Sequence, residues 1–550
     1  MTPLAIAAIG NVEPAVAPRP DAPISEPAPV SGGEWLARYE RLAGAMYALR
    51  RRCPRLEALA TSIVHPRHPL PADHLQMVEE ELSGASPNIP SVGRLCRIWL
   101  RGVVFAVRDM VAIAWLKLRY GRVLARHLQA PVRIVFKTWA FGAASAARVE
   151  DFYYGTLPQQ LEARGVSCVV LCGDGHGGLD SAFASAVFGR RGGRAVPELL
   201  LAPLWAPLAL MVRQLWTSLR LRQMACRTRQ LSEVRVLAQA SRECAEPYTM
   251  RNALYYYIAR SAVRRWQTEA FVTLYEGQPW EQPAWHGALA ANPRCRLVGY
   301  QHSIVLPHSI SLLRPHLGSW ERSAPDVVLC IGETTQRLLA PGHQPAGSTM
   351  VTFGSFRRSA ADLVRCPDPG RRAVLILPEG IPSEAELLYS AALRLAAMLP
   401  DHRIILRCHP VLPFARVLPR LGASPDQLAN VELSDRVTIS EDFARTSTVL
   451  YRGSSAVLYA VLHGLKPFYW HEASCPDVDP LYQLSGWPEM VTSVQELARA
   501  LRRYADMPAA SADTAWQPAR VFVEQYTRLV DGRAIDALLN ATGLRQGAAA

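Results

Sequence analysis

Four short runs pair titratable or hydroxylic side chains with residues that bend the chain. They are Tyr275-Glu276-Gly277-Gln278-Pro279-Trp280-Glu281, Tyr300-Gln301-His302-Ser303, Arg407-Cys408-His409-Pro410 and Arg452-Gly453-Ser454-Ser455. A carboxylate such as Glu276 can take a proton from a hydroxyl once its setting is partly apolar. His302 is the alternative base, or a ligand for an acceptor. Gly453 permits a tight turn, and Ser454 and Ser455 then stand where a helical pattern opens, from Ala456 to His463. Free backbone N–H groups and the helix dipole favour an anion there, although plain N-capping also accounts for two serines. His409 stands before Pro410, which holds it extended, and is a candidate second ligand for the same phosphate. Asp151 with Lys137 forms a third candidate pair. Gly173-Asp174-Gly175-His176-Gly177-Gly178 matches GxGxxG, but no acid-terminated strand follows about 20 residues on, so it reads as a flexible loop.

These residues can act together only if the surrounding elements aim them at one place. Each of the four runs directly follows a short β-rich stretch or stands at its end. The expected strands are Val132–Phe136, Val166–Leu171, Ala270–Tyr275, Arg296–Tyr300 and Asp326–Ile331 in one set. Ala373–Leu377, Arg403–Leu406, Arg436–Ile439, Thr448–Tyr451 and Pro467–Trp470 form another. Helical stretches intervene, including Val149 to Gly165. Strands alternating with helices indicate mostly parallel sheets, and two such sets indicate two Rossmann-like domains facing across a cleft. Ligands in open α/β sheets bind beyond the carboxyl ends of the strands, where these four runs lie. The expected division is a Pro/Ala-rich disordered leader over 1–33 and a basic helical extension over 34–130. An N-terminal Rossmann-like domain over 131–365, with an Arg-rich insertion at 189–230, precedes a C-terminal one over 366–550.

Charge divides along the same lines. The 550 residues carry a formal charge of +13, with 60 basic residues of which only Lys117, Lys137 and Lys466 are lysine. From Arg371 onward 18 basic residues face 19 acidic ones, so the excess lies in the first two-thirds. Two segments hold much of it. At about 100° per residue, Arg94, Arg97, Arg101, Arg108, Arg119, Arg122 and Arg126 share one edge of a long helix whose other faces are largely apolar. The run Leu199–Met211 (LLLAPLWAPLALM) is likewise followed by five arginines up to Arg229. Apolar wedges beside arginine suit the interface of an anionic bilayer; a buried hairpin with a solvated face is the alternative. No run of 18 uncharged apolar residues would span a membrane. Eleven scattered cysteines without a CxxC spacing fit neither a disulfide framework nor a zinc site, and point to a reducing, cytoplasmic setting. Nucleic acid is not the expected partner, because the basic residues lack the aromatic interleaving of a strand binder.

An acid-Gly run in the first domain, then His-Pro, then Ser-Ser, resembles the three-motif signature of bacterial sialyltransferases and related Kdo transferases. The matching residues are Glu276-Gly277, His409-Pro410 and Ser454-Ser455. The wider set also looks like bacterial surface-carbohydrate biosynthesis proteins, over about Val132 to Leu529. One departure is Tyr275, which stands where the sialyltransferase motif has a further acid. The resemblance implies the GT-B glycosyltransferase fold and an inverting, metal-independent transfer with no cofactor. A nonulosonate or Kdo-type sugar would pass from a CMP-activated donor to a surface polysaccharide or lipid-linked acceptor at the inner membrane face. Glu276 would then be the base, and His409, Ser454 and Ser455 would hold the departing phosphate. Glu441 would hold the ribose, and Glu379 in Pro378-Glu379-Gly380 is a competing acid-Gly match. The alternatives are a polyol-phosphate transferase using a CDP-activated donor, with His302 as base, a sugar-nucleotide epimerase, a basic nucleic-acid-binding protein and a catalytically dead GT-B scaffold.

Overall fold

A computed structural model of the chain describes residues 32–544, apart from 128, 130, 176–180, 316–323, 359–363, 423, 426–427, 437 and 473–475. The expected leader, the end of the glycine-rich loop and Val437 therefore fall largely or wholly outside the described residues.

Seven strands form the first sheet: β1 (Ile134–Ala140), β2 (Cys168–Asp174), β3 (Ala195–Pro197), β4 (Ala270–Leu274), β5 (Arg296–Gln301), β6 (Val327–Cys330) and β7 (Thr349–Thr352). Six form the second: β8 (Ala373–Leu377), β9 (Arg403–Leu406), β10 (Val431–Leu433), β11 (Thr448–Tyr451), β12 (Lys466–Trp470) and β13 (Glu489–Val491). All pairings are parallel, which needs a crossover between successive strands and cover on both faces. The central strands β1, β4, β8 and β11 are accordingly buried almost throughout and rich in apolar and β-branched residues. The orders are β3-β2-β1-β4-β5-β6-β7 and β10-β9-β8-β11-β12-β13. In each sheet the chain builds outward from its first strand, then returns to the other side of it. The reversal leaves a crevice beyond the carboxyl ends of β1 and β4, and another beyond β8 and β11. Two Rossmann-like domains facing across a cleft, with a helical region before them, make the two-domain α/β GT-B architecture expected above.

Several local readings change. The edge strands β3, β7 and β13 were not foreseen, and β3 lies within the Arg-rich segment 189–230. The strand expected over Arg436–Ile439 is instead Val431–Leu433, and Ile439–Phe443 is a helix. Thr438 and Glu441 form a capping box there, which favours helix over strand. The expected helix Val149–Gly165 begins only at Leu157, because Asp151 accepts the N–H groups of Tyr153 and Tyr154 and closes a turn with Gly155.

The extension supplies helices Gly32–Arg52, Ala72–Leu82 and Val92–His127. The first two pack with Ala206–Arg227 and Leu231–Cys244 around a separate core that includes Tyr39, Met46, Leu221 and Leu237. At the other end, helix Ala509–Tyr526 donates from Trp516 Nε1 to the Val461 carbonyl (2.6 Å), while its Tyr526 hydroxyl accepts from the Val305 N–H (2.9 Å). Helix Gly532–Thr542 then packs against β6 and β7 of the first sheet.

Candidate active site

The first half of the site is a turn beyond β4. Glu281 opens the helix Glu281–Ala291, and its carboxylate accepts the N–H groups of Glu276 (2.9 Å) and Gly277 (3.1 Å). Gly277 has φ +76°, and a Cβ there would fall 2.7 Å from the Ser311 Cβ, so the turn requires glycine. Burial pushes the Glu281 carboxyl up to about 8 against these donors. The second acid of the run is thus a support, and the first is presented beyond the strand.

Parallel pairing then sets the partner. Leu274 lies opposite Tyr300 in the β4–β5 register, so two residues further on Glu276 meets His302. Glu276 Oε1 stands 3.1 Å from His302 Nε2, and Oε2 accepts from Gln278 Nε2 at 3.2 Å. His302 is buried, with its ring centroid 4.7 Å from that of Tyr153. Burial lowers its pKa to about 4, with Glu276 opposing and Arg357 adding to the fall. The imidazole is therefore neutral at neutral pH, able to donate through one nitrogen and accept through the other.

The second half lies beyond β8, β9 and β11. Glu379 crosses over Gly453 so closely that a Cβ at Gly453 would fall 1.8 Å from its Oε1. The His409 ring lies against Gly380, and burial lowers its pKa, with Glu379 opposing and Arg357 reinforcing. Ser455 is the N-cap of helix Ala456–Leu462 but makes no side-chain cap bond, so its hydroxyl is not used in capping. A cavity of about 310 Å³ brings His409 and Ser455 together. Arg407, His409, Ser440, Ser454, Ser455 and Tyr459 line it from the second domain, and Phe152 and Arg357 from the first. Arg357 lies over the rings of Phe152 (4.9 Å) and Tyr153 (5.1 Å), and Tyr153 packs at a tilt against His302. That chain of contacts joins the cavity to the Glu276–His302 pair. Arg407 is held by Asp442 at 2.5 Å. A cavity with two guanidiniums, an imidazole and three serine hydroxyls suits a phosphate ester.

The remaining candidates are placed elsewhere or differently. The exposed Glu441 carboxylate accepts both the N–H (3.1 Å) and the hydroxyl (2.7 Å) of Thr438, while its neighbours Ile439 and Ser440 line the cavity. Lys137 and Asp151 are each paired with another residue. Lys137 is buried 3.1 Å from Glu198 and 3.3 Å from the Trp139 ring centre. Asp151 pairs with Arg190 at 3.4 Å and accepts the Thr138 hydroxyl at 3.0 Å. Glu198 also borders a second cavity of about 200 Å³ beyond β1 and β2, with Trp139, Asp174, Arg251 and Tyr255. Among the described residues no group of three His, Cys, Asp or Glu side chains is placed to hold a metal ion.

Three further residues of the candidate site, Arg357, Arg407 and His68, carry weaker signals in the sequence. Arg357 follows β7, a half-exposed strand of four residues, and its signal was the run Gly354-Ser355-Phe356-Arg357-Arg358. Arg407 opens the run that carries His409 and has no other signal of its own in the sequence. His68, in the extension, stands 3.4 Å from Glu379 Oε1 and 3.1 Å from His308 Nε2, so the extension reaches into the cleft.

No protein-family model and no curated protein matches the sequence. Among solved structures, the glycosyltransferase SnogD from Streptomyces nogalater is 16% identical with a TM-score of 0.39, over 75% of this chain and 99% of that one. A UDP-GlcNAc 2-epimerase from Neisseria meningitidis bound to UDP-GlcNAc is 11% identical with a TM-score of 0.41, over 74% and 99%. A putative UDP-N-acetylglucosamine 2-epimerase from Listeria monocytogenes is 12% identical with a TM-score of 0.42, over 75% and 96%. Likenesses this distant assign neither a reaction nor a donor.

Proposed function

We propose that the protein is a glycosyltransferase that moves a sugar from a nucleotide-activated donor to an acceptor hydroxyl. The observation that carries this reading is the interdomain cavity, where Arg357 of the first domain faces His409, Ser454 and Ser455 of the second beside the Glu276–His302 pair. Glu276 takes the acceptor proton as the acceptor oxygen bonds to the anomeric carbon. The bond from that carbon to the phosphate oxygen breaks, and its electrons leave with the nucleotide. Arg357, Arg407, His409 and the serine hydroxyls receive the charge that develops; one such oriented donor is worth about 3–4 kcal/mol in a transition state. Attack on the face opposite the phosphate inverts the anomeric centre.

The finer reading is a CMP-activated nonulosonate or Kdo-type donor and a lipid-linked or surface-polysaccharide acceptor. It is supported by the order of the three motifs and by their assembly around one cleft. A CDP-activated polyol-phosphate transfer with His302 as base would use the same pair. Calorimetric binding of CMP, CDP and UDP to the full chain separates these readings. CMP binding that survives chelation supports the first, and selective CDP binding the second. Selective UDP binding keeps the transferase and removes both finer donors, while binding of none overturns the proposal.

A further inference from the structure

Helix Val92–His127 is apolar on two sides. Leu95, Ala106, Ile113, Leu116 and Leu124 are buried against the body of the protein. Roughly opposite them, at 100° per residue, Val104 is 69% exposed and Leu118 88% exposed, with Leu100, Val111 and Trp115 beside them. Among the described residues, none covers this second side. Helix Ala206–Arg227 packs alongside, tied by Trp99 Nε1 to the Met211 carbonyl (2.7 Å) and by Lys117 Nζ to the Ala202 carbonyl (2.6 Å). It adds a stripe of its own, with Val212 63% exposed, Trp216 65% exposed, and Leu208 and Trp205 in line. By helical angle, Trp99 and Lys117 mark the edge of the first helix that meets the second. The exposed apolar residues lie between that edge and the arginines, which occupy the far edge.

Charge identifies the occupant. Arg97, Arg101, Arg108, Arg119, Arg122 and Arg126 are exposed on the first helix. Its one acid, Asp109, is buried on Arg251 at 2.9 Å, and the second helix has none. A second copy packed on this face would set arginines against arginines, with no exposed acid on either helix to pair them. No helix among the described residues is long and apolar enough to cross a membrane, so a bilayer would be met from the side. At 1.5 Å per residue the first helix is about 54 Å long, a broad footprint for interfacial binding. We infer that the paired face of Val92–His127 and Ala206–Arg227 docks on a lipid bilayer carrying anionic head groups. The exposed apolar stripe enters the interface and the arginine edge meets the phosphates. This inference does not depend on the transferase reading.

The test is sedimentation of the full chain with vesicles of phosphatidylcholine, alone or mixed with phosphatidylglycerol. The expected result is binding to the mixed vesicles that weakens as salt is raised. Val104→Asp with Leu118→Asp should lower it at least about tenfold, and Arg101→Glu with Arg119→Glu should abolish the preference for phosphatidylglycerol. All four positions are exposed, so unfolding curves should match the wild type. Should the aspartate variant misfold, quenching of tryptophan fluorescence by brominated lipid reads the same contact. It should fall in Trp115→Phe with Trp216→Phe. Absence of vesicle binding, or binding that the aspartates leave intact, overturns the inference. So does a dimer that the aspartates break, or duplex DNA binding, in the absence of vesicle binding.

Discussion

At 3.1 Å from Glu276, the neutral imidazole of His302 can orient the carboxylate through an N–H or relay its proton. The two candidate bases therefore stand side by side, and alanine at either position should lower turnover. A conservative exchange tells them apart. Glu276→Ala should lower kcat about a hundredfold to ten-thousandfold while leaving nucleotide affinity intact. His302→Asn, whose amide can still donate, should keep most of the rate if His302 only positions Glu276. A loss as deep as that of Glu276→Ala would make His302 the base. Glu281 gives a second residue-scale expectation. Its carboxyl sits near 8 in the fold, against an ordinary 4.5. A raised value means that the folded state binds the extra proton, so this contribution to stability is complete below 4.5 and is lost as pH rises through 8. Glu281→Gln cannot ionise. Its thermal midpoint should gain on the wild type across that window, and a gap independent of pH would show that burial does not raise the carboxyl. The motif YEGQPWE was legible as a post-strand run, but which glutamate faces the cleft depends on Glu281 being buried under the turn.

Among the elements, helix Glu281–Ala291 sets the position of the whole turn. It lies so close to Pro247–Trp266 that a Cβ on Gly287 would fall 2.0 Å from the Tyr256 carbonyl oxygen. Gly287→Ala should cost about 1–3 kcal/mol by overpacking, measured by urea unfolding. Because Glu281 opens the same helix, kcat should fall with it. A loss of stability without a change in kcat would separate the helix from the turn. The central strands were readable because a parallel strand buried on both faces needs a continuous apolar run. The edge strands β3, β7 and β13, three or four residues long and less demanding, carried no such run. The only local sign of the helix at Ile439 is the spacing of Thr438 and Glu441, a capping signal that outweighs local β propensity.

For the whole molecule the central fact is that the cleft closes with groups from distant parts of the chain. Arg357 reaches the cavity from the first domain, and His68 reaches Glu379 from the extension. Arg357→Ala should weaken nucleotide binding about tenfold or more if a phosphate occupies the cavity, since charge-assisted bonds of this kind are strong. Unchanged affinity would place the nucleotide elsewhere. Composition and periodicity by themselves determined two parallel α/β sheets, the strand ends that carry Glu276, His302, His409 and Ser454, and a helix with an arginine edge. Each is a local property, set by burial of a strand, by the residues that bend the chain after it, or by a helical repeat. Only the tertiary structure decided that Glu276 and His302 touch, that Lys137 pairs with Glu198 instead of Asp151, and that Arg357 completes the cavity. Those outcomes depend on strand register, on side-chain burial and on domain contact, which join residues far apart in the chain and leave no spacing to read.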